Sequence, residues 1–194
     1  MKAFIHNSRY DYSNSYLIGP DGPGDAIVID PVDLDVALLE LIENNRYYVR
    51  AVLFTTPRRQ TAQGLRTLMR VYDAEIYSSY PRVFQFPGRV IEHGQTLQFP
   101  GVTVEAIALE QYSRYSLLFR IGGLLFTGAL VSAGLVGERH TDVERHLIAA
   151  ALREATAALP DETIILPAFG PPSTLGAERR FNLDLAAFSP CEPP

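Results

Sequence analysis

Lysine is almost absent from this chain. Of its 17 basic residues only Lys2 is lysine, and the others are arginine. A phosphate loop of the G-x-x-x-x-G-K-[ST] type needs an internal lysine, as does a pyridoxal Schiff base, so both chemistries are excluded. Cysteine is equally scarce. A single Cys191 allows no intrachain disulfide and no thiolate metal cluster. No apolar run approaches the roughly 20 residues of a membrane span. The opening MKAFIHNSRYDYSN lacks the apolar core of a secretory leader. These absences predict a cytoplasmic chain that makes no membrane contact.

What is present is a chain of 194 residues, 47% hydrophobic and 20% charged, enough to bury a substantial core. Its net charge of −5 is the reverse of the basic balance of a general nucleic-acid binder and disfavours that class. The length suits one domain, residues 1–186, followed by a loose tail, 187–194, that carries Cys191. Short runs rich in Val, Ile, Phe and Tyr predict strands at 15–19, 26–30, 49–55, 74–77, 102–109, 116–121, 124–127 and 163–167. PDGPG at 20–24 and Gly122-Gly123 read as hairpin turns. Three helices are predicted. Asp33 caps one to about Asn45, with Val36, Leu39, Leu41 and Ile42 inward. Thr61 caps a second to about Tyr72, burying Leu65, Leu68 and Met69. Thr141-x-x-Glu144 is a capping box that opens the third, to about Leu159, with Val143, Leu147, Ala151 and Ala155 inward. The pattern is mixed α/β, with helices covering sheet faces.

Several segments follow in a definite order: NSYLIG with AIVIDP, then TTPRRQTAQG, then IEHGQTLQFPGVTVEAIAL, then FTGA, then PAFG. In order and spacing they resemble the metallo-β-lactamase superfamily, especially its compact glyoxalase-II-like hydrolases, from about Asn14 to Asn182. The resemblance implies a four-layer αβ/βα sandwich with a zinc or iron site in loops at one end. Ligands there come from T-H-x-H-x-D-H-x-x-G, P-G-H-[ST], F-[ST]-G-D and P-G-H-G, and the metal-bound water is the nucleophile.

Here the outer Thr55 and Gly64 of the first motif are kept, but its histidine positions are Thr56, Arg58 and Thr61 and its aspartate position is Gln60. The second motif's histidine falls on Gln111 or Tyr112. The third motif's aspartate is Ala129, and the last histidine is Phe169. Arg58 puts a fixed positive charge where a dication would sit. Two like unit charges at 4 Å repel by roughly 4 kcal/mol at an effective dielectric of about 20. The resemblance with these departures implies no metal, no cofactor and no catalytic residue of the family kind. Asp30 matches a strand-end aspartate and is expected to order loops by hydrogen bonds. His6, His93, His140 and His146 are expected to be four separate surface or edge residues.

The resulting expectation is a ligand-binding or interaction module. It would use the former mouth, through Thr56, Arg58, Gln60, Thr61, Gln111, Tyr112, Arg114, Ala129 and Phe169. Arginine forks suit carboxylate or phosphate, and the helix amides after Thr61 would add to an anion site. The partner would be an anionic small molecule or a protein, with self-association also open. The alternative is a hydrolase of a small acidic ester or thioester that uses a non-standard site.

Overall fold

The computed structural model describes residues 1–137 and 141–186, so His140 and Cys191 lie outside the described residues. Two six-stranded sheets face each other. The first contains β1 (Lys2–Asn7), β2 (Asn14–Gly19), β3 (Gly24–Ile29), β4 (Tyr47–Leu53), β5 (Glu75–Ser78) and the short β6 (Arg89–Val90), adjacent in that order. The second contains β7 (Thr96–Phe99), β8 (Val102–Leu109), β9 (Ser113–Ile121), β10 (Leu124–Gly128), β11 (Ile164–Pro167) and β12 (Ser173–Thr174). The hairpin pairs β2–β3 and β9–β10 are antiparallel, while β3–β4, β4–β5 and β10–β11 are parallel.

Alternation along the strands divides the apolar residues between layers. Tyr16, Ile18, Ile27, Ile29, Leu53, Phe119 and Phe126 fill the space between the sheets. Leu17, Val28, Val49 and Val52 turn outward to helices α1 (Val36–Asn44) and α2 (Thr61–Val71). On the opposite side Ile107, Leu118, Leu125 and Ile165 meet α3 (Asp142–Thr156). Two short helices, α4 (Leu175–Phe181) and α5 (Leu183–Ala186), complete that side. The result is the expected four-layer αβ/βα sandwich. Among the described residues no helix is long and apolar enough to cross a membrane.

The helix starts differ in detail from the sequence reading. Asp35, not Asp33, caps α1, accepting from the Leu38 amide at 2.9 Å. That turns Leu38 and Ile42 inward and leaves Val36 exposed. The cap residue of α2 is Gln60, which makes no side-chain cap bond. Thr61 is fully buried, and its hydroxyl donates to the Arg58 carbonyl at 2.6 Å. The Thr141–Glu144 capping box is present, but α3 buries Ile148, Ala149, Ala151 and Leu152 and leaves Val143 and Leu147 exposed. Its sheet-facing stripe is therefore rotated from the predicted one.

Candidate functional site

The loops that carry the family motifs meet at one end of the two sheets. Three backbone bonds join them: Leu117 N to Thr55 O at 2.9 Å, Ala168 N to Gly128 O at 2.7 Å, and Asn14 N to Ala168 O at 2.7 Å. Asn14 also donates from Nδ2 to the Pro167 and Gly170 carbonyls, and the buried Tyr16 hydroxyl donates to Pro167 O at 2.6 Å. Burial pushes the Tyr16 phenol well above its ordinary range.

Asp30 anchors the floor of this end, and it does order the loops as expected. It ends β3 with a positive φ of 49° and accepts two bonds from Thr55, at 2.9 Å from the amide and 2.6 Å from the hydroxyl. Burial raises its carboxyl above the usual range, against the pull of the Thr55 bonds and the nearby Arg58 charge. Gly128 has a φ of 57°, and a methyl group on it would stand 2.9 Å from Thr55 Cβ and closer still to the hydroxyl. The retained Thr55 and Gly128 are thus packed against each other.

Of the nine expected site residues, Arg58 meets two others: Thr61, which bonds its carbonyl, and Phe169, through its side chain. Arg58 turns inward, its guanidinium carbon 4.9 Å from the centre of the Phe169 ring. Its Nη1 lies 3.8 Å from Asp11, its side chain is 17% exposed, and its buried Nη2 has no hydrogen-bond partner among the described residues. Thr56 and Ala129, both half-buried, follow Thr55 and Gly128 in the same loops. These side chains do not fit a divalent metal. They offer neither imidazole nor carboxylate, and a guanidinium already holds the positive charge over Phe169.

The other expected residues diverge. Thr61 is buried and unavailable to a ligand. Its amide and that of Ala62 are taken by the Arg58 and Arg59 carbonyls, and the Gly64 amide by Val32 O. The amides of Thr61, Ala62 and Gly64 therefore already have partners. Gln60 and Arg59 face a cleft of about 500 Å³ between α2 and the β3–α1 loop, with Asp33, Asp35 and Arg66. Gln111 turns to α3, donating to Glu154. Tyr112 packs against the α3 layer, and burial raises its phenol. Arg114 lies over Tyr115, which stacks on Tyr80 at 4.8 Å. Five well-formed clefts lie elsewhere, with neither Arg58, Ala129 nor Phe169 in their linings.

Among the described histidines, His93 and His146 are exposed as expected, and only His6, on the edge strand β1, departs by being buried. His6 is 3% exposed and lies between two aspartates. His93 accepts from the Ala108 amide at 3.1 Å and lines clefts shared with Glu110, Gln111 and Arg114. The sequence signal for His6 was faint. Asp33 read as a helix cap, and Asp35, which carried no reading, is 29 positions from the ring it meets.

With this geometry established, comparison with other proteins places the chain. No family model matches it. A protein of Treponema pallidum, described only as uncharacterised, is 32% identical over 179 residues, covering 90% of this chain and 94% of that one. A hydroxyacylglutathione hydrolase of Methylobacillus flagellatus is 26% identical over 114 residues, covering 57% of this chain and 45% of the hydrolase. Among solved structures, ETHE1 of Myxococcus xanthus superposes with a TM-score of 0.83 at 19% identity, over 96% of this chain and 85% of its own. The BLEG-1 B3 metallo-β-lactamase does so with a TM-score of 0.82 at 17% identity, over 95% and 99%. The fold is that of the metallo-β-lactamases. Within it, the chain belongs to one family with the Treponema protein.

Proposed function

We propose that this chain is a binding module that uses the mouth of a metallo-β-lactamase fold without a metal there and without its hydrolytic chemistry. One arrangement carries the reading: the half-buried Arg58 guanidinium set over Phe169, with Nη2 unpartnered and Asp11 at 3.8 Å. A desolvated guanidinium fork is a receptor for a carboxylate or phosphate, and an unpaired buried donor is a cost that a ligand removes. Asp11 lies on the β1–β2 loop between Tyr10 and Tyr12, which are 77% and 76% exposed. Exposed tyrosines are common anchors for small molecules and protein partners. Movement of this loop would open Arg58 to an anionic group. A protein partner, including a second copy of the chain, would meet the same tyrosines.

The alternative is hydrolysis of a small acidic ester or thioester, which the partial likeness to a hydroxyacylglutathione hydrolase favours. One experiment separates the two. The chain, incubated with and without zinc, iron or manganese, is assayed on an S-acyl glutathione. It is also titrated with succinate and citrate and followed by NMR. The binding reading expects no turnover, and shifts centred on residues 55–61 and 167–170 that Arg58→Gln abolishes. Metal-dependent turnover removed by a chelator overturns it.

A further inference from the structure

His6 lies on β1, its ring almost fully buried. Nε2 is 2.9 Å from Asp35 Oδ1, and Nδ1 faces Asp33 Oδ1 at 3.9 Å. Both atoms across that second gap are buried, and neither has a hydrogen-bond partner among the described residues. The other Asp33 oxygen accepts from the Ser8 hydroxyl at 3.0 Å, which fixes the carboxylate in place. Asp35 Oδ1 also takes the Leu38 amide, so it is fixed as well. Among the described residues this is the one group of three histidine or acidic side chains whose ligand atoms all come within 4.8 Å of one another.

The gap limits what can fill it. If Nε2 donates its proton to Asp35, Nδ1 carries a lone pair. A lone pair and a carboxylate oxygen then face each other in a desolvated site, which is unfavourable unless something positive lies between them. A proton on Nδ1 answers poorly, because 3.9 Å is beyond hydrogen-bond reach. An ion about 2.1 Å from each atom spans the distance with modest closure. Asp35 would act as the carboxylate that orients a metal-bound imidazole, an arrangement common at protein metal centres. Two carboxylates and a neutral ring also balance a dication.

We infer that His6, Asp33 and Asp35 form a site for a divalent transition ion of the zinc class, with His6 Nδ1 and Asp33 Oδ1 as ligands and Asp35 holding the ring. Mixed imidazole and carboxylate donors suit zinc, iron(II) or manganese. Asp33 and Asp35 line two clefts, of about 500 and 680 Å³, from which water would complete the coordination. The site does not include the Arg58–Phe169 contact, although its first cleft is shared with Arg59 and Gln60 of the first motif. It does not depend on the binding role proposed for Arg58. An ion here would fasten β1 to the start of α1.

The test uses the full chain, stripped with a chelator and titrated with Zn²⁺ by calorimetry while the histidine ring nitrogens are followed by NMR. The expected result is one ion per chain, a displaced His6 Nδ1 resonance, and at least tenfold weaker binding in Asp33→Asn, which keeps the side chain's shape. His6→Gln is a second variant and should weaken binding as much. If it fails to fold, the wild-type ring shift still decides the question. No binding at 100 μM zinc overturns the site. So does binding that leaves His6 unshifted or Asp33→Asn as tight as wild type, and either pattern would place the ion elsewhere, the mouth included.

Discussion

Gly64→Ala sets two effects of opposite sign against each other, so its outcome tests the packing argument directly. Gly64 is in the first turn of α2, where alanine is the better helix former by about 1 kcal/mol. If nothing touched it, the substitution would stabilise the chain. But α2 rests on the β3–α1 loop at this point, and Gly64 N donates to Val32 O at 3.1 Å. A methyl group would stand 2.5 Å from Val32 C and 2.6 Å from Asp33 N, and closer still to Val32 O. Those atoms are backbone, so no rotamer change relieves the overlap, and helix and loop must separate. Overpacking of this kind costs about 1–3 kcal/mol. Stretching the Gly64–Val32 hydrogen bond adds about 1 kcal/mol. Against a gain near 1 kcal/mol the net expectation is a loss of about 1–3 kcal/mol. For a chain of this size that lowers the melting temperature by roughly 2–4 °C per kcal/mol. Urea unfolding followed by circular dichroism measures it as a lower midpoint at unchanged slope. Gln63→Ala, at an exposed neighbour on the same turn, is the control and should stay within about 0.5 kcal/mol of wild type. If Gly64→Ala proves as stable as wild type, the close approach of α2 to the loop does not constrain this position and the reasoning fails.

Asp30, raised by burial, holds its proton in the folded chain to a higher pH than in the unfolded one. Its contribution to stability is therefore full below the ordinary carboxylate range and is lost as pH rises through the raised value. Asp30→Asn should be weaker relative to wild type at pH 4 than at pH 8, and urea midpoints that differ equally at both would count against the burial argument. Gly128→Ala meets both a positive φ of 57° and the hydroxyl of Thr55, so a loss of roughly 2–4 kcal/mol is expected in the same assay. A loss below 1 kcal/mol would mean that the Thr55–Gly128 contact yields easily. Thr141→Ala removes the capping box at the start of α3 and should cost about 0.5–2 kcal/mol, while Thr141→Ser should restore most of it.

Which features could be read from the chain follows from how local their causes are. Strands with apolar residues buried on both faces, such as β2 with Tyr16 to Ile18 and β3 with Ala26 to Ile29, were predicted to within a few residues. β1 and β7 were missed because their residues are mostly exposed or half-buried, and short α4 and α5 because Phe181 and Leu183 point outward. The start of α1 was misplaced by two residues because Asp33 and Asp35 are both good caps, and only packing of Leu38 and Ile42 against β4 chooses between them. The order of the motifs gave the fold and located Thr56, Arg58, Ala129 and Phe169 on neighbouring loops. It did not say that Arg58 would lie over Phe169, that Gln111 would turn to α3, or that the ring of His6 would meet Asp33 and Asp35. Those are long-range side-chain choices that leave no periodic signal.

The motif residues that survive in this chain share a property that those replaced do not. Thr55 binds Asp30, Gly128 fits only because it lacks a side chain beside Thr55, and Gly64 lets α2 touch Val32. Each sets a backbone approach that the sandwich needs whatever its mouth binds. Of the positions that differ from the motifs, Thr61 is fully buried and Tyr112 packs against the α3 layer, while Arg58 and Phe169 meet at the mouth. Scaffold and chemistry in this fold are therefore separable at single-residue resolution. Contacts that position the loops can persist while the residues at the mouth vary. For the same reason the likeness in fold does not establish an activity. Under the proposed binding role, function would rest on what Arg58, and the tyrosines beside Asp11, are able to hold.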